Sequence, residues 1–578
     1  MDPRASAMAW LEKDPDPDTR AELQALLDAG DDDALSECMG ARLEFGTAGL
    51  RGVLGPGPSR MNRLVVRQTT LGLARYLERT KDAARANGVV IGYDGRRMSR
   101  EFAEDAAGVL TAQGFKVLLF ARMTPTPVTA FAVTHHGAAA GIMVTASHNP
   151  PEYNGYKVYW ANGAQIIPPH DVGIAAEIDA LASSDDLITV MPLSEAGPLL
   201  HSLDEELLEA YLSEVAELSV HPELDAAARD ALTIAYTPMH GVGAELGMEA
   251  MRRAGFSNVF GVPEQLEPDG DFPTVRFPNP EEPGAMDLVL ELAKDKDADI
   301  ALANDPDADR LAVAVKDQVG SWRTLHGDQI GALLGADRMR GAGAGQAVAA
   351  TIVSSQLLSV MAQARGVEYF ETLTGFKWIA NGAIDRRRER DVEFLFGYEE
   401  AIGFTLGELV RDKDGVSALV GVAELAASLK AHGLDLWSRL EAIYREFGVF
   451  VTAQKSLPLG VDGVGLGLMD AVRAHPPSVI GGRGVRTRTD LLTGVRATSS
   501  GDTSEVDLPA SNVLVYHLDG GARVIVRPSG TEPKIKCYYE VRMPLEEHAS
   551  VEEVFASAHA ELAMLRDAHQ KQLRRAGE

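Results

Sequence analysis

Thr145 to Lys157 reads T-A-S-H-N-P-P-E-Y-N-G-Y-K, placing Ser147 beside His148 between an apolar run and two prolines. The run Gly141 to Val144 delivers that serine to the end of an expected strand, which is where ligands bind in open α/β sheets. An ordinary turn, with Ser147 and Asn149 capping backbone groups, uses the same residues. No G-x-S-x-G elbow surrounds Ser147, so hydrolase chemistry of that type is not supported. Asn304 to Arg310 reads N-D-P-D-A-D-R between the apolar runs Ile300 to Ala303 and Leu311 to Val315. Asp305, Asp307 and Asp309 alternate, so a loop can converge three carboxylates on one point. Bare, they repel one another; around a hard cation such as Mg²⁺ each oxygen is satisfied. Dehalogenase-type phosphatases also alternate aspartates, but they carry Thr or Val four residues after the nucleophile, where this chain has Asp309.

Two further stretches offer ligand chemistry. Phe396 to Phe404 reads F-G-Y-E-E-A-I-G-F, and Glu399 with Glu400 either forms a surface turn or accepts hydrogen bonds from sugar hydroxyls. Thr374-Gly375-Phe376-Lys377 and Asp412-Lys413-Asp414-Gly415 add two lysines nearby in sequence. Arg527 to Lys534 reads R-P-S-G-T-E-P-K. Arg527 supplies a planar fork that matches phosphate oxygens, and Ser529, Gly530 and Thr531 can turn hydroxyls and N–H groups onto one anion. A plain Pro-Gly hairpin is the alternative.

The elements that must position these loops alternate in type. Val89 to Tyr93 is a predicted strand, Arg100 to Gln113 a helix stopped by Gly114, Lys116 to Phe120 a strand, Thr126 to His136 a helix, and Ala140 to Ala146 a strand. Such alternation predicts a mostly parallel sheet covered by helices. A second unit starts with the strand Leu232 to Tyr236, the helix Ala244 to Ala254 and the strand Asn258 to Val262. A third follows His326 and includes the apolar stretch Val416 to Ala431. Strand-like runs at Val485 to Arg488, Val513 to His517, Arg523 to Arg527 and Lys534 to Arg542 precede a closing helix from about Val551.

With 578 residues, the chain exceeds one core, and about 150 residues per domain suggests roughly four domains. A hydrophobic fraction of 45%, a charged fraction of 24% and a mean hydropathy of −0.07 describe an ordinary globular protein. No apolar run reaches the roughly 18 residues of a spanning helix, and the N-terminus is acidic rather than a basic-then-apolar leader, so the expected place is the cytoplasm. Cys38 and Cys537 lie near opposite ends and argue against a disulfide framework. A net charge of −29 repels phosphate polymers, which excludes nucleic acid and anionic membrane as expected partners. A small anionic substrate then needs locally placed Arg and Lys.

In their order, T-A-S-H-N-P, D-P-D-A-D-R, G-Y-E-E and R-P-S-G-T-E-P resemble the loops of the α-D-phosphohexomutase superfamily, the phosphoglucomutase and phosphomannomutase enzymes, over nearly the whole chain. G-T-A-G-L-R-G at Gly46 to Gly52 is a fifth match, and G-Y-E-E-A-I-G looks most like the subgroup holding phosphopentomutase and glucose-1,6-bisphosphate synthase. The resemblance implies three similar mixed-sheet α/β domains and a smaller C-terminal α+β domain around a central cleft, divided here as 1–215, 216–328, 329–450 and 451–578. It implies an intramolecular phosphotransferase interconverting sugar 1-phosphate and 6-phosphate, glucose foremost. Pentose or mannose phosphate is the alternative, and bisphosphate synthesis a more distant one. Ser147 would carry the phosphoryl group and, with Asp305, Asp307 and Asp309, hold one Mg²⁺; a sugar 1,6-bisphosphate would serve as activator. Arg310 and Lys157 would stabilise the transferring group, while Arg51, His148 and Lys413 are candidates for proton transfer or phosphate contact. Gly375, Phe376, Lys377, Glu399 and Glu400 would face the sugar, and Arg527, Ser529, Gly530, Thr531 and Lys534 the phosphate. Partners are then small phosphosugars, with the chain a monomer or dimer. One departure stands out: glucose-specific members usually carry Ser two residues after the first Glu of the sugar loop, and here that position is Ala401.

Overall fold

The computed structural model describes every residue except 1, 47–48, 183–187, 461–464, 530–533, 547 and 578. The chain forms two compact units: Met1–Leu325 with Ala383–Asp385 and Ala401–Gly433, and His326–Gly382 with Arg386–Glu400 and Leu434–Glu578. No helix among the described residues is long and apolar enough to cross a membrane.

The first unit opens with three helices, Pro3–Lys13, Pro17–Ala29 and Asp32–Cys38, that sequence patterning did not reveal. Each is started by an aspartate cap: Asp2, Asp16 and Asp31 accept from the N–H groups of Arg4, Asp18 and Ala34, and a proline follows the first two caps. Beyond them lies a sheet of six strands: β1 (Leu50–Val53), β2 (Val89–Tyr93), β3 (Val117–Phe120), β4 (Ala140–Val144), β5 (Tyr153–Trp160) and β6 (Leu200–Leu203), in the order β1-β5-β4-β2-β3-β6. β4, β2, β3 and β6 run parallel, and β5 and β1 are antiparallel additions. Every residue of β2 and β4 is buried, which is why both read as continuous apolar runs rather than alternating ones. Val89, Ile91, Ile142 and Val144 share one core with Phe102, Ala106 and Leu110 of the helix Ser99–Ala112.

A second sheet follows: β7 (Ile234–Thr237), β8 (Val259–Gly261), β9 (Ile300–Ala303), β10 (Ala312–Lys316) and β11 (Trp322–Thr324), in the order β11-β10-β9-β7-β8. β10 runs antiparallel to β9, so the aspartate loop is a hairpin connection between two wholly or largely buried strands. The strand Gly403–Leu406 and the helix Gly415–Ala431 complete this unit. Leu311 N–H donates to Ile402 O at 3.0 Å, and the helix packs on Ala244–Arg253.

In the second unit Gln346–Thr351 pairs in parallel with Glu368–Thr372 and Glu393–Glu399, under the helices Gly327–Arg338 and Leu357–Arg365. The smaller C-terminal domain is an antiparallel sheet in which Val449–Pro458 pairs with Lys534–Met543, Lys534–Met543 with Arg523–Pro528, and Arg523–Pro528 with Leu514–Leu518. The helix Val551–Gly577 lies against its first two strands. Ile352, Val353 and Leu373 form one apolar cluster with Val515, Ile525 and Tyr538, so the two domains share a core inside this unit. The architecture is therefore three α/β domains and a smaller C-terminal domain, as expected from the sequence.

Candidate active site

Ser147 lies on the loop that leaves the C-terminal end of β4, with φ of 53°, a left-handed conformation rare for a residue with a side chain. Its N–H donates to Thr145 Oγ1 at 2.9 Å, a hydroxyl turn that fixes the bend. Its Oγ donates to Asp305 Oδ2 at 3.0 Å and lies 3.1 Å from His148 Nδ1. Burial first, and then the charges of Arg310 and Arg51, hold the His148 imidazolium well below its ordinary range, so the ring beside the serine is neutral. Arg51, on β1, donates to Asn149 Oδ1 at 2.9 Å. Of the stretch Thr145 to Lys157, only the first half is loop. Tyr153 begins β5, and Lys157 stands on that strand opposite Met143, where regular pairing rather than a flexible tether sets its position.

Asp305, Asp307 and Asp309 are buried, with one oxygen from each lying within 4.8 Å of the others. The hairpin that gathers them is held from inside. Asn304 Nδ2 donates to Arg310 O at 2.5 Å, Arg310 N–H to Asp305 Oδ1 at 3.0 Å, and Ala308 takes φ of 56°. Lys157 Nζ donates to Asp307 Oδ2 at 2.8 Å and to Asp309 Oδ2 at 3.0 Å, and Lys413 Nζ reaches Asp309 Oδ2 at 3.1 Å. Thr126 Oγ1, which sequence reading missed, donates to Asp307 Oδ2 at 2.7 Å. Burial and the neighbouring Asp307 and Asp309 charges push the Asp305 carboxyl well up, whereas for Asp307 burial is outweighed by Lys157 and the carboxyl falls below its ordinary range. Asp307 Oδ1 and Asp309 Oδ1 are buried yet accept no hydrogen bond from the described residues. Buried carboxylate oxygens left over beside a serine hydroxyl fit a hard divalent cation, so this group could hold a metal.

Asp412, also missed, sits beneath this cluster. Tyr159 Oη and Gln165 Nε2 donate to its Oδ2 at 2.8 and 2.7 Å, and it is 3.5 Å from Lys413 Nζ. Arg310 lies 3.9 Å from Asp305 and 4.0 Å from Asp309 through Nε. The structure thus brings Ser147, His148, Lys157, Arg310, Lys413 and the three aspartates together, with Arg51 one residue removed through Asn149.

The second unit gathers the sugar and phosphate candidates. Glu399 ends its strand with Oε1 accepting from Gly375 N–H at 2.7 Å; Gly375 has φ of 108° and precedes Phe376, the first residue of a helix. Lys377 folds back over Gly375. Glu400 N–H donates to Ser354 Oγ at 3.1 Å, and Glu400 Oε2 accepts from Thr351 at 3.3 Å and Ser354 at 3.4 Å. Thr351 and Ser354 carried no sequence signal because one ends and the other follows an unremarkable strand. Arg527 Nη2 donates to Tyr538 Oη at 3.3 Å, while its Nε is buried without a hydrogen-bond acceptor among the described residues. Burial, followed by the charge of Glu400, pushes the Tyr538 hydroxyl up to about 12, which places the sugar loop and Arg527 around one tyrosine. Ser529 N–H donates to Lys534 O at 2.8 Å and closes the hairpin. Gly530 and Thr531 lie outside the described residues.

Comparison with known proteins gives one consistent answer. Models of phosphoglucomutase/phosphomannomutase match in order: alpha/beta/alpha domain I over residues 42–185, domain II over 209–320, domain III over 326–447 and the C-terminal domain over 495–558. The human protein named phosphopentomutase is 39% identical over 563 residues, covering 93% of this chain and 90% of that protein. A Haemophilus influenzae protein named "Probable phosphomannomutase" is 41% identical over 490 residues, covering 83% and 93%. Human glucose 1,6-bisphosphate synthase is 36% identical over 561 residues, covering 92% and 89%. With all four domain models in sequence and relatives of this identity along nearly its full length, the chain belongs to the phosphoglucomutase/phosphomannomutase family of the α-D-phosphohexomutase superfamily and is an intramolecular phosphotransferase.

Proposed function

We propose that this mutase acts on a pentose, moving phosphate between the 1- and 5-positions through a phosphorylated Ser147. The observation that carries the phosphoryl role is the Ser147 hydroxyl, directed at Asp305 inside the aspartate cluster and backed by a neutral His148. The pentose reading rests on the likeness to phosphopentomutase over 93% of the chain and on Ala401, which brings no hydroxyl to the sugar loop. It replaces glucose, the first expectation from sequence. A mannose phosphate is the second reading, favoured by the Haemophilus relative.

In the proposed cycle the bond between Ser147 Oγ and phosphorus breaks as the substrate hydroxyl oxygen bonds to that phosphorus, and the proton lost by that hydroxyl ends on Ser147 Oγ, the leaving oxygen. The other phosphate of the resulting bisphosphate then returns to Ser147. In the return step the serine loses its proton, and neutral His148 Nδ1 at 3.1 Å is placed to take it. Asp305, Asp307, Asp309 and Ser147 would hold Mg²⁺, which when bound neutralises charge on the transferring group. Lys157 and Lys413 fix the orientation of Asp307 and Asp309. In the second unit Glu399 and Glu400 are assigned to sugar hydroxyls, and Arg527 to the phosphate that is not reacting.

Ribose, deoxyribose, glucose and mannose 1-phosphates assayed with Mg²⁺ and a trace of the matching bisphosphate test the reading. The highest kcat/KM is expected on a pentose; a tenfold preference for mannose or glucose 1-phosphate would replace it. Mass spectrometry of the protein after incubation with bisphosphate should find phosphate on Ser147.

A further inference from the structure

Just past β2, Arg96 is buried with its side chain 1% exposed, yet it touches none of the groups assigned to substrate. Every donor at the end of its fork goes to the backbone of the Ser147 loop. Nη2 donates to Ser147 O at 2.6 Å and Asn149 O at 2.5 Å; Nη1 donates to Pro150 O at 2.9 Å and Tyr153 O at 3.2 Å. The guanidinium is held in turn. Asp94 Oδ2 lies 3.4 Å from Nε, Asp94 Oδ1 accepts from Arg96 N–H and Ser99 Oγ, and the Phe272 ring centroid lies 4.9 Å from its carbon.

We propose that Arg96 is a positioning residue for phosphoryl transfer, gathering four carbonyls of the loop so that Ser147 keeps its left-handed backbone and its hydroxyl stays aimed at Asp305. Two prolines and a left-handed serine leave this loop without a ladder of its own; Pro150 O also accepts from Tyr153 N–H at 3.1 Å, but Ser147 O and Asn149 O draw on Arg96. Only arginine offers four N–H groups in a fixed plane; lysine has the charge but gathers its three donors at one point. The proposal rests on the reading that Ser147 carries the phosphoryl group.

The test compares Arg96→Lys with Ser147→Ala in the full chain. In folded Arg96→Lys, kcat should fall about a hundredfold, the cost of a reacting atom misplaced by about 1 Å, while KM for the monophosphate and half-saturation by Mg²⁺ stay within about twofold. Amide exchange should quicken in residues 145–153 and stay unchanged in β7 and β9. Wild-type kcat in this variant, or a KM rising in step with the loss, overturns the proposal. Should Arg96→Lys fail to fold, Phe272→Leu decides: it leaves the fork intact but removes the ring beneath it. A kcat lowered about threefold at constant KM supports positioning, and an unchanged kcat overturns it. An active Ser147→Ala would remove the phosphoserine reading itself; an inactive one beside a fully active Arg96→Lys removes only the role of Arg96.

Discussion

At Asp309 two ammonium groups meet one carboxylate, Lys157 at 3.0 Å and Lys413 at 3.1 Å, whereas Asp305 receives the Ser147 hydroxyl and a backbone N–H. The lysines therefore lie on the Asp307 and Asp309 side of the cluster, away from the serine side where the cation and the transferring phosphoryl are proposed to bind. Asp307 joins the halves, since its Oδ2 is taken by Lys157 and Thr126 while its Oδ1 has no donor among the described residues. Asp307→Asn keeps the shape but removes a charge from the free oxygen. Half-saturation by Mg²⁺ should rise at least tenfold and kcat at saturating Mg²⁺ should fall by about two orders of magnitude, measured by titrating activity with the metal. An unchanged titration would end the metal assignment. The role proposed for Arg527 calls for a different outcome, because a phosphate that does not react binds equally in ground and transition states. Arg527→Lys keeps the charge and loses the fork, so KM for the monophosphate should rise about tenfold with kcat nearly constant. A fall in kcat alone would place Arg527 at the reacting phosphate instead.

The helix Gly415–Ala431 shows how an element governs the site without entering it. Asp414 caps it, accepting from Val416 and Ser417 N–H at 3.1 Å and from Tyr211 Oη at 2.8 Å, and this anchors Lys413 one residue earlier. Gly415 sits so close to the aspartate hairpin that a Cβ there would stand 2.5 Å from Arg310 O and 2.7 Å from Ala308 O. Gly415→Ala must therefore push that hairpin aside, at a cost of about 1–3 kcal/mol. Apparent Mg²⁺ affinity should fall about tenfold with the circular dichroism unchanged; undisturbed metal dependence would show that the hairpin yields freely. This helix was plain in the sequence because its apolar run is long, and the strands carrying Ser147 and the aspartates were plain because burial on both faces makes them continuous. β5 was hidden: its Tyr, Asn, Gly and Lys residues read as a continuation of the proline loop, although all but its ends are buried. The three N-terminal helices were hidden for another reason, since each shows only a few core residues, such as Trp10, Leu23 and Leu35, among charges. Motifs marked the residues proposed to meet ligand, whereas Arg96, Thr126 and Asp412 meet other residues of the fold, and nothing in a linear spacing marks such contacts.

For the molecule as a whole, with a net charge of −29, one charged network stands out in the second unit. Arg523 is 3% exposed and pairs with Glu540 and Glu371, each at 3.2 Å. Glu540 accepts in addition from Ser355 Oγ at 2.6 Å and Gln356 N–H at 2.8 Å, and Arg523 also donates to Ser354 O. Burial pushes both carboxyls up, with the Arg523 charge acting against it, so neither carboxylate tolerates losing its partner. The network ties the C-terminal sheet to the domain of the sugar loop, because Ser354 also holds Glu400. Replacing the arginine with an apolar residue of similar length strands the buried Glu540 carboxylate and leaves the partly exposed Glu371 unpaired, a loss of about 3–5 kcal/mol that falls mainly on Glu540. Arg523→Met should therefore speed amide exchange throughout Glu368–Thr372 and Arg523–Pro528 by at least a hundredfold, while β2 and β4 of the first unit exchange as before. Adding Glu540→Gln to that variant should recover part of the loss, since a neutral amide costs less to bury than an unpaired carboxylate. Exchange unchanged in the single variant would mean that water reaches these charges and that the shared apolar cluster alone joins the two domains of this unit.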